Sequence, residues 1–397
     1  MTKKNDFAVF MAYVVMFALA LILGIVIIRP MLVNYDSAGA INPYLLVVIS
    51  IVAGIVLNAI LLELGHLVGA KIGKYRVRSF VVLGLGFKTK KGGAKKVGFN
   101  SFEGLTGETK VAPLDVEKSS LRAYIAFPLL FLLIEAVVFV TIISVINLPD
   151  DKYSWAEIFS ACALIVGAMI YVYNYFPAHL EALTDGYIAT LISKPINRVA
   201  LNNLLLAEEA AAIGAPAPKR VIYDTWSDLT FGLNMGVVYD FIKEGKMREA
   251  LAILDKAIAV EKGLSGYCIN EAKSLKLSLW LGNPAYQRQG AEMYQELDDS
   301  AKKYISNISS PSALRCYLLI SGIIEESETE AAFALDKVEK VLKGVPEERL
   351  DVEKALIKAN MDLVKKVHPT WELPAMPWEQ KPKEEDKPED DSKPSDK

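Results

Sequence analysis

Residues 61–66 read LLELGH. In the pattern H-E-x-x-H, set on a helix, two histidines four residues apart share one face and can both reach a zinc ion. The glutamate between them acts as general base on the metal-bound water. Here Glu63 and His66 are in place, and Leu62 stands where the first histidine would be. A second stretch, NYFPAHLEALTDG at residues 174–186, sets an aspartate and a glycine just beyond an apolar run that Pro177 breaks. A carboxylate at membrane depth is costly without a partner or a water-filled cavity. Asp185 therefore either caps the helix that follows it, accepting backbone N–H bonds, or belongs to a site.

The elements that carry these residues are read from hydropathy. Apolar residues make up 52% of the 397, and they gather in the first half while charge gathers in the second. This predicts a membrane domain followed by a soluble one. Four runs approach the roughly 20 residues needed to cross a bilayer: 7–28, 43–64, 123–148 and 158–176. The first is longer than the roughly 7–15 apolar residues of a cleaved signal, so it is read as an anchor. Twelve Lys and Arg lie within 71–122, whereas the other short connections offer only Arg29 and Lys152. The basic segment is therefore expected in the cytoplasm of a multi-pass cell-membrane protein, with both termini on that side. The second and fourth runs then deliver Glu63, His66 and Asp185 to the same face. A net charge of -3 gives no basic field for a nucleic-acid partner. Cys162, Cys268 and Cys316 are too scattered for a disulfide framework or a thiolate metal site and are read as free thiols.

Together the two stretches resemble the site-2 protease family of intramembrane zinc metalloproteases. That family carries H-E-x-x-H on one span, and N-x-x-P followed by D-G at the end of another. Asn174, Pro177, Asp185 and Gly186 match the second motif. Their proline-to-aspartate gap looks like the longer version found in some Gram-positive bacterial relatives. The resemblance covers roughly residues 41–195. It implies that His66 and Asp185 are zinc ligands, that Glu63 is the general base, and that Asn174, Pro177 and Gly186 help bind substrate. It also implies that the segment between spans two and three forms a sheet lying against the membrane, to which a substrate segment adds as a further strand. Two strand-like runs, 75–83 and 86–89, fit that expectation, and attachment of a basic loop to anionic lipid is the other reading of the segment.

Leu62 departs from the family pattern. Leucine has no donor atom, so His66 and Asp185 would be the only protein ligands where a catalytic zinc site needs three. The favoured expectation is a metal-deficient pseudoprotease that binds membrane segments or partner proteins without cutting them. An active zinc protease, with His179 as substitute ligand, is the alternative. The remaining alternative is a membrane-anchored scaffold.

The fold expected overall is mainly α. A first anchor occupies residues 1–40, and a core over 41–195 holds the other three of the four spans with a small β element within 71–120. An all-α cytoplasmic domain follows over 196–376. Within 234–260, Phe241, Gly245, Ala250, Leu254 and Ala257 fall where a tetratricopeptide repeat wants an aromatic, a turn glycine and small packing residues. Helical pairs at 266–307 and 311–345 match that motif weakly. Such arrays bind proteins or peptides on a concave surface. Residues 377–397, almost devoid of apolar side chains, are expected to be disordered.

Overall fold

The structure, a computed structural model, describes residues 3–35, 41–102, 104–146, 152–177, 184–216 and 218–379. The chain divides into two compact units, Met1–Arg220 and Val221–Lys397. In the first unit, four helical stretches are long and apolar enough to cross a membrane: Phe10–Val33, Pro43–Ile72, Leu121–Val145 and Trp155–Asn174. The first is built from α1 (Lys3–Leu23), a π turn (Gly24–Ile28) and α2 (Arg29–Val33). The others are α3 (Pro43–Ile72), α4 (Leu121–Val145) and α5 (Trp155–Asn174). Their starts are chemically marked. Asn42 accepts from the backbone of Tyr44 at 2.9 Å ahead of Pro43, and Ser154 and Glu157 form a reciprocal capping box on α5.

Helix α3 packs against both α4 and α5. A Cβ added at Gly65 would lie 2.5 Å from Pro128 Cα, and one at Gly69 would lie 2.4 Å from the Ala123 carbonyl oxygen. The Gly-x-x-x-Gly spacing thus lets two backbones meet, the arrangement by which apolar helices approach closely. Higher on α3, buried Asn58 donates to the carbonyls of Gly54 (3.1 Å) and Ala163 (3.0 Å) and to Glu135 Oε1 (3.1 Å). One amide therefore ties α3 to α4 and α5.

Between α3 and α4 lies an antiparallel sheet of β1 (Tyr75–Val82), β2 (Leu85–Thr89), β3 (Lys95–Phe99) and β4 (Gly107–Pro113), in the order β3-β2-β1-β4. The sequence reading found β1 and β2 and missed β3 and β4. Both carry lysines or a glutamate among their apolar residues, which hides the period-two pattern.

After α5 come α6 (Asp185–Ile192) and α7 (Pro195–Ile213). The boundary expected at residue 195 lies instead after Arg220, because α7 is fastened to the sheet. Tyr75 Oη donates to Asn202 Oδ1 at 2.6 Å, and Arg76 grips Glu209 through Nε at 2.9 Å and Nη2 at 2.6 Å. Burial pushes the Tyr75 hydroxyl well above the ordinary tyrosine range.

The second unit is helical throughout its regular elements: α8 (Asp228–Lys243), α9 (Met247–Ile258), α10 (Gly266–Leu281), α11 (Gln287–Glu296), α12 (Asp299–Ser306), α13 (Pro311–Leu319), α14 (Glu328–Asp336), α15 (Val338–Leu342) and α16 (Glu347–Val367). Gly245, at a φ of 72°, makes the turn between α8 and α9, and Ala250, Leu254 and Ala257 of α9 are buried. The stretch 266–307 holds three helices rather than a pair. Residues 377–379 form a turn from which Trp378 packs on the core, and the rest of the tail lies outside the described residues. All three cysteines are buried and free, and burial pushes the Cys268 and Cys316 thiols up to about 12.

A paired substitution checks the α3–α4 seam. Gly69→Ala should lower the thermal midpoint of the detergent-solubilised protein by the equivalent of about 1–3 kcal/mol, because the Cβ meets backbone. Gly24→Ala, whose Cβ meets nothing within 4 Å, should not lower it.

Candidate functional site

Glu63 and His66 sit in the last three turns of α3, and both are buried. Asp185 is the first residue of α6, also buried, and Asn174 is the last residue of α5. The start of α6 lies against the end of α5. A Cβ at Gly186 would lie 2.1 Å from the Tyr175 carbonyl oxygen, so only glycine admits this approach. The cap of α6 is Thr184, whose hydroxyl accepts from the Tyr187 N–H at 3.2 Å and donates to the Phe176 carbonyl at 2.8 Å. With Thr184 as the cap, the Asp185 carboxylate is free to face α3.

It meets His66 there. Nε2 of His66 lies 2.7 Å from Asp185 Oδ2, which also accepts from Asn174 Nδ2 at 2.6 Å. The other ring nitrogen lies 3.4 Å from Glu63 Oε2, and that oxygen accepts from the Thr109 hydroxyl of β4 at 2.5 Å. The ring stacks on Tyr124 with centroids 4.5 Å apart, and the Tyr124 hydroxyl donates to the Thr109 carbonyl at 2.8 Å. The imidazole is thereby held between two carboxylates and against one aromatic face.

Leu62 lines the same cavity as Glu63 and His66 but offers it only hydrocarbon. It is 4% exposed and packs in an apolar cluster with Ile170 and Tyr171, flanked by Leu132, Val166 and Tyr175. Among the described residues no group of three or more His, Cys, Asp and Glu side chains is arranged to hold a metal ion. The arrangement does not fit a catalytic zinc. Nε2 of His66 and Oδ2 of Asp185 bond to each other directly, and the position that would supply the next donor is a packed hydrocarbon. His179 lies outside the described residues.

Of the residues singled out from sequence, Glu63, His66, Asn174 and Asp185 come together. Pro177 is exposed beyond the end of α5, and Gly186 lets the start of α6 approach the Tyr175 carbonyl. Thr109 and Tyr124 were not foreseen. No motif announces them, and they reach the site only because β4 and the start of α4 fold against α3. A cavity of about 540 Å³ opens beside the cluster, lined by Glu63, His66, Asn174 and Asp185, by residues of β4, and by the Leu201 and Leu205 face of α7. Strand β4 is an edge strand of the sheet, and its residues 107–111 line this space. The cavity therefore combines residues of an edge strand, an apolar wall and polar side chains. Its volume is that of a small-ligand or peptide-segment site.

No family model, curated protein or solved structure matches the chain.

Asp185→Ala would leave His66 and Asn174 without their shared acceptor. Because breaking one side of a buried pair exposes the other to uncompensated desolvation, the substitution should cost about 3 kcal/mol. The cost would be read as a lowered denaturation midpoint in detergent. Asp185→Asn, which keeps an acceptor oxygen, should cost less.

Proposed function

We propose that this chain is a site-2-protease-like integral membrane protein that has lost its catalytic metal and binds extended segments of membrane proteins or peptides without cutting them. The observation that carries this reading is the fate of the motif position before Glu63. Leu62 is packed among Ile170 and Tyr171, while His66 and Asp185, the remaining ligand-type side chains, satisfy each other at 2.7 Å. The cavity beside them is lined by residues of β4, an edge strand, and an edge strand is the kind of element to which an added strand pairs.

In this proposal the four apolar stretches span the cell membrane, and the basic segment 71–122 and both termini lie in the cytoplasm. The cavity then faces the cytoplasm, and the second unit offers a tetratricopeptide-like surface to a protein partner. The active-protease reading retains one specific support: Glu63 stays at the cavity wall, bonded to Thr109, where a general base would stand. Scaffold function alone gives no account of that carboxylate, since burying it without use is expensive.

Two measurements test the proposal. The purified protein should carry well under one zinc per chain by elemental analysis. Leu62→His should raise occupancy, because it returns an imidazole one turn from His66. Any peptide cleavage gained with Leu62→His should vanish when Glu63→Gln is added. Stoichiometric zinc in the unmodified chain that disappears on His179→Ala would overturn the pseudoenzyme in favour of the active protease.

Orientation is tested separately by thiol labelling in intact cells. Cysteines placed at Lys90 and Arg220 should be protected from an impermeant reagent, whereas one at Tyr35 should react. The native thiols, all buried, should contribute little background.

A further inference from the structure

The cavity contains a guanidinium that the protein itself leaves partly uncommitted. Strand β1 pairs residue for residue with β4 except at one point: Val77 faces Val111 and Ser79 faces Lys110, so Arg78 has no counterpart. A bulge of this kind adds a residue to one strand and re-aims its side chain. Arg78 is only 7% exposed, yet it lines the cavity. Its Nη1 has no hydrogen-bond partner among the described residues. Its nearest carboxylate, Glu208 Oε2, stands 3.7 Å from Nη2, too far for a hydrogen bond, on a side chain that is 43% exposed.

The neighbouring pair shows what closure looks like. Arg76 and Glu209, on the same two elements, bond twice, at 2.9 and 2.6 Å. The other nearby carboxylate on β4, Glu108, is already engaged by Lys88 at 2.9 Å and by the Ser79 hydroxyl at 2.9 Å. A buried guanidinium with a free donor is unfavourable unless something accepts from it. The planar fork of arginine pairs bidentately with a carboxylate, the anion that an unmodified peptide carries.

We propose that Arg78 is a specificity residue of the cavity, recognising a carboxylate on the extended segment that lies along β4. This rests on the reading of the cavity as a segment-binding site and adds the chemical class of its ligand. At one end the cavity presents Glu63 and Asp185, which repel an anion, so the carboxylate is directed to the Arg78 end and fixes the polarity of the bound segment. The carboxylate is either an acidic side chain or a chain terminus.

The test uses the full-length protein immobilised in detergent and three pools of eight-residue peptides randomised over Ala, Val, Leu, Ser and Thr. One pool has free C-terminal carboxylates. The second has C-terminal amides with one glutamate per peptide, and the third has amides and no acid. Retention is read by mass spectrometry. At least one carboxylate pool should be retained about tenfold over the uncharged pool, and which one identifies the source of the carboxylate. Arg78→Gln should bring that pool down to the uncharged level. Glu208→Gln keeps Arg78 and removes its distant carboxylate, so it should raise retention of the same pool, a gain that misfolding cannot imitate. Equal retention of all three pools, a carboxylate preference that survives Arg78→Gln, or no gain with Glu208→Gln overturns the role of Arg78 while leaving the segment-binding reading intact. Retention of no pool overturns that reading itself, and this proposal with it.

Discussion

The close approach of α3 to α4 is the constraint on which the rest of the first unit depends. Gly65 and Gly69 bring the backbones to within a distance that no Cβ would allow. They lie in the same turns as Glu63 and His66, so the faces that pack and the faces that do chemistry are fixed together. With α4 held there, Tyr124 stacks on the His66 ring and reaches Thr109, which places β4 beside Glu63. A helix in lipid has little hydrophobic reason to choose one neighbour over another. Small residues and a few buried polar bonds make the choice, and Asn58 supplies such a bond in the middle of the same helix. The precision of the site is thus inherited from packing one and two turns away from it.

The amino-acid sequence disclosed the parts of this arrangement that obey a period or a motif. The four apolar stretches were legible because length and hydropathy alone define them. Glu63 and His66 were legible from a near H-E-x-x-H pattern, Asp185 because a carboxylate is expensive at the end of an apolar run, and Asn174 through the motif that ends in Asp185 and Gly186. Strands β3 and β4 were not: Lys95, Lys96, Glu108 and Lys110 break the alternation that marks a strand, and β4 is buried by elements distant in sequence. The membership of α7 in the first unit was hidden for a similar reason. Its ties to the sheet run through Asn202 and Glu209, polar residues that on a helix of mixed composition look like a solvated face.

The bulge at Arg78 was equally hidden, since register is a property of a pair of strands and not of either sequence. Two arginines at 76 and 78 and two glutamates at 208 and 209 read as matched charges. Only the structure separates the closed pair from the open one. A single residue inserted in β1 lets Arg76 and Glu209 meet twice while Arg78 and Glu208 stay apart.

The remaining physical question is how two acids, Glu63 and Asp185, are kept buried near one another. A divalent metal compensates the carboxylates around it. Without one, Glu63 and Asp185 would be two buried acids facing each other across a small space, and each must find donors or force the fold to open. The donors are at hand: Thr109 for Glu63, Asn174 for Asp185, and the His66 ring between them. The imidazole stands between the two carboxylates and contacts both. Leu62, one position before Glu63, packs against Ile170 and Tyr171. Around the histidine the polar side chains thus form one part of the cavity lining, beside hydrocarbon from α3 and α5.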